Sequence, residues 1–255
     1  MNQPLMSVGQ LLSSSYNDAK KHMKAFNKIT ILLWALMTAY QVVLFLMFGN
    51  LAQGQAQYLA PEKLSGFLTW TFVLMLIVLI PSVWLSIRLI RMSLWLDKGQ
   101  TPSANESKEA WKFFLPSLWI GIISYLAVMV GMVLLIIPGI WLAIAISFAA
   151  YYLYEDNIRG VAALKASMAL VKGRWWSVFW RFFATSFVIG LGYMIIIGII
   201  TWILTLIRMP MIITNAAIYA LIYILLMPMV MMLYAKLFHN LKQTQAPAVS
   251  APPAI

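Results

Sequence analysis

Residues 29–61, 64–87, 113–154, 182–207 and 209–235 contain no Asp, Glu, Lys or Arg, and each holds a long stretch of Leu, Ile, Val, Met, Phe and Ala. A helix needs about 20 apolar residues to cross a bilayer. Four of the runs therefore hold one crossing each, and 113–154 holds two. In lipid every backbone N–H and C=O has to find its partner inside the protein, so such runs fold as helices. This feature predicts an all-α polytopic membrane protein, a six-helix transmembrane bundle forming a single domain over 1–242. The spans are expected at about 29–48, 66–90, 114–130, 133–154, 182–206 and 211–235, with a disordered tail over 243–255 rich in Ala and Pro. The polar N-terminus does not read as a cleavable signal, which would place an apolar core directly after a short basic start.

Charge placement gives the orientation. The net charge is +11, and of the 18 Lys and Arg only Lys63 and Arg208 fall in loops on the side opposite the termini. The others cluster with the termini, which predicts cytoplasmic N- and C-termini in the cell (plasma or inner) membrane. That retention also explains the basic balance without nucleic acid as a partner. The basic segments themselves read as interfacial amphipathic helices, about 8–28 and 158–180. In the first, Val8, Leu11, Leu12, Ala19, Met23 and Phe26 recur at helical spacing; in the second, Val161, Leu164, Met168, Val171, Trp175 and Phe179 mark one face.

An internal similarity links the spans. Ile80–Ile87 (IPSVWLSI) aligns with Ile137–Ile144 (IPGIWLAI), and Pro228 lies at a similar place in the sixth span. The chain reads as three units, each an interfacial helix followed by a helical hairpin. The turn within 113–154 falls at Gly131 or at Pro138-Gly139. Gly131 is chosen because it puts a proline inside every even-numbered span. Pro81, Pro138 and Pro228 are then helix kinks. Each frees a carbonyl one turn back, so each is expected to face protein along a shared seam.

The residues from Ile137 onward carry a further signal: Ile137-Pro138-Gly139, the acidic pair Glu155-Asp156, then Ala163-Leu164, Ser167 and Leu170-Val171-Lys172-Gly173-Arg174-Trp175-Trp176. This pattern resembles the membrane domain found beside some glycerophosphoryl diester phosphodiesterases and related YciC-type inner-membrane proteins. The resemblance covers about residues 105–240 well and the first unit loosely, with a departure at Met168-Ala169. It implies a six-helix bundle with interfacial helices and no activity, because the phosphodiesterase chemistry belongs to a separate soluble barrel.

Chemistry is sparse. There is no cysteine, which excludes disulfides, thiolate zinc ligation and thiol catalysis. The two histidines, His22 and His239, are near opposite ends, without metal-ligand spacing. No phosphate-binding glycine loop is present. No cofactor and no catalytic residue is expected. The sharpest candidate site is basic and aromatic: Lys165, Lys172, Arg174, Trp175, Trp176 and Arg181, suited to a lipid headgroup, anionic lipids included. The expectation is an integral membrane protein without enzymatic activity, interacting with membrane lipids or scaffolding an unidentified protein partner in the envelope. The alternative is a transporter or exporter of a lipid-like or small substrate.

Overall fold

The computed structural model describes residues 5–48, 61–103 and 105–245, all helix and connection with no strand among them. The first loop and, from residue 246 on, the tail expected to be disordered lie outside these described residues. Helix α1 (Val8–Lys21) opens on a reciprocal cap. Ser7 Oγ accepts from Gln10 N at 3.3 Å while Gln10 Oε1 accepts from Ser7 N at 3.0 Å. The chain breaks at His22, and α2 (Met23–Phe48) is already the helix of the first span. The single interfacial helix expected over 8–28 is thus two elements. The break lets α1 pack against the C-terminal helix, burying Leu11, Ser15 and Ala19.

Helix α3 (Pro61–Asp97) runs unbroken through Pro81. Proline cannot donate one turn back, and beside it the Ser82 hydroxyl donates to Val78 O at 2.8 Å. After the short α4 (Glu106–Lys112), α5 (Phe114–Leu134) reverses on one extended residue, Leu135 (φ −161°, ψ 139°), into α6 (Ile136–Ala145). The turn lies between the two positions weighed from sequence. Gly131 and Gly139 flank it and allow backbone contact. A Cβ on Gly131 would stand 3.0 Å from Gly139 Cα, and one on Gly139 2.7 Å from Met132 N. Pro138 is therefore not a kink within a span. It is exposed in the first turn of α6, where N–H groups lack intrahelical acceptors. The two similar octets occupy different places: Pro81 is mid-helix and Pro138 is at a turn. Of the expected proline seam only Pro228 is buried; Pro81 is half-buried.

The fourth span is interrupted between α6 and α7 (Ala149–Asp156). Ser167 bridges the interruption: its hydroxyl accepts from Phe148 N at 3.1 Å and donates to Ala145 O at 2.8 Å. Both backbone groups would otherwise be buried without partners. Helix α8 (Gly160–Val171) carries that serine, and its buried face is Ala163, Leu164, Ser167, Leu170 and Val171. This face is turned from the expected one; Val161 is 52% exposed. The Ser167 bridge, which apolar periodicity does not count, fixes the rotation. Gly173 (φ 80°) ends the segment, and Trp175, Trp176 and Phe179 belong to the fifth-span helix, α9 (Trp175–Leu206).

The last span is α10 (Met211–Ala220), a π-helical segment (Leu221–Leu226) and α11 (Met227–Gln243). The wide turn immediately precedes Pro228, with Met227 N–H bonded to Ile222 O five residues back. Proline clashes with the carbonyl four residues back, and a π turn is one way to relieve that.

Six helical segments are thus long and apolar enough to cross a membrane, and the protein is a polytopic integral membrane protein. Its core is not at mid-membrane. Leu11, Leu94, Phe148, Tyr151, Leu170, Val178, Leu237, Phe238 and Leu241 bury one another where the charged residues lie, here termed the basic end. Toward the other end the apolar side chains are exposed, as lipid-facing side chains are, since lipid tails are as apolar as leucine. Helix α9 is the extreme case: none of its most apolar stretch is buried.

Candidate functional site

The last turns of α11 bring Lys236, His239 and Lys242 to one side, at i, i+3 and i+6 of a 3.6-residue helix. Three other helix ends meet them. Lys236 Nζ binds Asp18 at 2.6 Å and Asp97 at 3.1 Å. His239 Nδ1 lies 2.5 Å from Asp97 Oδ2, and Nε2 lies 2.6 Å from Glu155 Oε2. Lys242 binds Glu155 at 3.0 Å and Asp156 at 2.8 Å, and Lys98 binds Glu155 at 3.1 Å. Cations of α11 thus alternate with carboxylates of α1, α3 and α7 in a ladder. Asp97 and Asp156 end their own helices, where the macrodipole disfavours negative charge. The ladder supplies the compensating cations. Two further pairs, Arg88–Glu106 at 3.3 Å and Arg91–Glu109 at 2.6 Å, fasten α4 to α3. The Arg91 guanidinium also lies 4.7 Å over Trp95 and 4.8 Å over Phe113.

The ladder is built to hold. Both His239 nitrogens face carboxylate oxygens, an arrangement that puts a proton on each. No ring lone pair then remains to act as a base. The carboxylates stand at opposite edges of the ring, so the three groups share no point where a metal ion could be ligated. Among the described residues no group of His, Asp and Glu is placed to hold one.

The basic–aromatic residues expected to form a headgroup site divide in two. Arg174 turns inward and donates to Leu241 O at 2.6 Å and Thr244 Oγ1 at 2.7 Å, capping the end of α11. Burial lowers the Arg174 pKa from the ordinary arginine value, which still leaves the group charged. Arg181 donates to Met6 O at 2.9 Å and Leu5 O at 3.2 Å, holding the segment that enters α1. Trp175 Nε1 donates to Trp141 O at 3.1 Å, and its ring stacks on Phe179. Lys165 and Lys172 are exposed, with no ion pair among the described residues, and Trp176 is 67% exposed. The structure therefore does not gather the six around one point.

Because α9 stands apart, clefts open beside it. The cleft between α9 and the sixth span has a volume of about 540 Å³ and is lined by Val188, Ile189, Gly192, Tyr193 and Ile196 on one wall. Leu221, Leu225, Leu226 and Met229 form the other wall, and Leu12, Ser13 and Tyr16 of α1 stand at one end. Along α9 it runs about 12 Å, at 1.5 Å per residue. The Tyr193 hydroxyl is buried and meets no partner among the described residues. A smaller cleft of about 330 Å³ lies on the other side, between α6 and α9. Sequence reading missed His239 as a centre and missed this cleft. The signal for the first was three cations on one side of a helix that continues past its span. For the second, the signals were Gly192 beside Tyr193 and the Pro228 that the wide turn precedes.

Comparison with known proteins finds no match: no family model, no characterised protein and no solved structure aligns with the chain.

Proposed function

We propose that the protein is a lipid-binding membrane protein without chemistry of its own, holding an acyl chain in the cleft between α9 and the sixth span. The observation that carries this reading is the cleft itself. Its lining is almost wholly apolar, its volume of about 540 Å³ falls within the range of ligand sites, and it lies between two helical segments long and apolar enough to cross a membrane. At the far end the two walls are joined by the short connection 207–210 between α9 and α10, and the cleft opens between that joint and α1. Gly192 tests the reading, because a side chain added there meets nothing within 4 Å and yet faces the cleft. Gly192→Phe is expected to fold and to lose, in native mass spectrometry, the lipid that the unaltered protein retains after detergent exchange. Equal retention by both proteins would sink the proposal.

One observation favours a second reading, transport of a lipid-like substrate. The Tyr193 hydroxyl is buried without a partner among the described residues, behind an otherwise oily wall, and a shift of α9 that brings it to the cleft would give it an oxygen-bearing substrate as partner. Both readings place the basic end in the cytoplasm, since the cations collect there and cytoplasmic loops carry the excess of Lys and Arg. The absence of cysteine makes this easy to check. A membrane-impermeant thiol reagent applied to intact cells is expected to label Gln55→Cys and to spare Lys20→Cys. The reverse pattern would overturn the orientation.

A further inference from the structure

Away from the clefts beside α9, the basic end carries another opening, about 590 Å³, between the start of α5 and the start of α8. Trp111, Lys112, Leu115, Trp119, Arg159 and Gly160 line it. The two cations come from different elements. Lys112 ends α4 and Arg159 immediately precedes α8. Neither meets a carboxylate among the described residues. The Arg159 Nε donates to Asn157 Oδ1 at 3.1 Å, which leaves the terminal nitrogens free. Among the described side chains no carboxylate is spare: Asp18, Asp97, Glu155 and Asp156 are taken by the ladder, and Glu106 and Glu109 by Arg88 and Arg91. No described residue supplies an anion for this pair.

The surroundings say which anion. Trp111 and Trp119 are 51% and 57% exposed beside the cations, and Trp111 stacks on Trp84 at 5.8 Å. Indoles beside cations at the edge of an apolar span mark the headgroup layer. Below the opening, Leu115, Ile122 and Leu126 of α5 are bare at 74%, 51% and 52% exposure. A free phosphate would use the charges and leave this apolar track empty; a phospholipid uses both. The backbone is shaped to the same end. Asn157 (φ 54°) and Gly160 (φ 58°) are both left-handed and turn the chain so that Arg159 and the first turn of α8 face the opening. No side chain caps that turn, so its N–H groups add to the attraction for a phosphate.

We propose that this opening is a phospholipid headgroup site, with the phosphodiester held between Lys112 and Arg159 and an acyl chain lying along Leu115 and the exposed face of α5. Guanidinium and ammonium groups bind phosphate by charge-assisted hydrogen bonds, and each cation near an anionic surface contributes attraction of its own. The site lies on different helices from the cleft of the proposed function, so either can fail alone.

The test uses the purified full chain in detergent, titrated with short-chain phosphatidylglycerol and followed by native mass spectrometry. The double variant Lys112→Gln/Arg159→Gln is expected to weaken binding about tenfold. Arg159→Lys alone should weaken it by less, since the charge remains and only the fork is lost. Lys20→Gln/Lys24→Gln, at two exposed lysines elsewhere, should change it less than about twofold, within the scatter of general surface charge. Thermal melts of all variants should coincide with the unaltered protein, which separates lost binding from lost fold. Equal weakening by the two double variants would overturn the proposal, as would no weakening by either. Full competition by millimolar inorganic phosphate would overturn the lipid assignment.

Discussion

Replacing His239 with alanine is expected to lower the melting temperature of the purified protein by roughly 10 °C, on a cost of about 3 kcal/mol. The imidazole is 9% exposed, and the carboxylates it separates, Asp97 and Glu155, are 10% and 12% exposed. Removing one member of a buried charge array strands the others, and this uncompensated charge is the main part of the cost. Lys236, Lys242 and Lys98 still face the two carboxylates, which keeps the estimate at the lower end. Two comparisons make the expectation specific. Lys98→Ala removes a partner that is 42% exposed and should cost under about 1 kcal/mol, as exposed pairs do. The double variant Asp97→Asn/His239→Ala should cost less than the sum of its single changes, because the second removes the charge that the first left stranded. A His239→Ala melt within 2 °C, on the same scale, would show that the ladder does not hold the bundle.

The hairpin of α5 and α6 gives the second large effect. Gly139→Ala puts a methyl group 2.6 Å from Met132 Cγ and 2.7 Å from Met132 N. The side chain can swing away, but the backbone nitrogen cannot, so the helices have to separate. The expected loss is about 1–3 kcal/mol, and Gly139→Leu should leave no monodisperse protein. Gly121→Ala on α5, where nothing lies within 4 Å, should be neutral or slightly stabilising, since alanine is the better helix former. Thermal melts of the alanine variants and size-exclusion profiles of all three decide the matter. Equal behaviour of Gly121→Ala and Gly139→Ala would mean that the backbones do not touch at the turn.

The spans were legible because lipid imposes one solution on a long apolar run, whatever its detailed order. Leu135 was less legible. A one-residue turn leaves no polar loop, and the glycines that permit it sit on either side rather than at it. The ladder was hidden for a different reason. His239 reads as a lone ring, because the two carboxylates that flank it, Glu155 and Asp97, lie 84 and 142 residues away in the chain. Composition points Arg174 and Arg181 outward, since arginine beside tryptophan is the usual mark of the headgroup layer. The carbonyls of Leu5, Met6 and Leu241 that draw them inward carry no trace in the sequence.

Three cations of the ladder sit on the last helix, and the carboxylates they answer sit on helices made earlier. On the ribosome Asp18, Asp97, Glu155 and Asp156 therefore emerge long before Lys236, His239 and Lys242 exist. Until then the earlier helices have water and Lys98 to answer these charges, and the bundle waits ajar. Translation closes its own product: of the described helices, the one synthesised after all the others locks the rest, and a nascent chain halted short of Lys236 carries every part of the joint except the bolt.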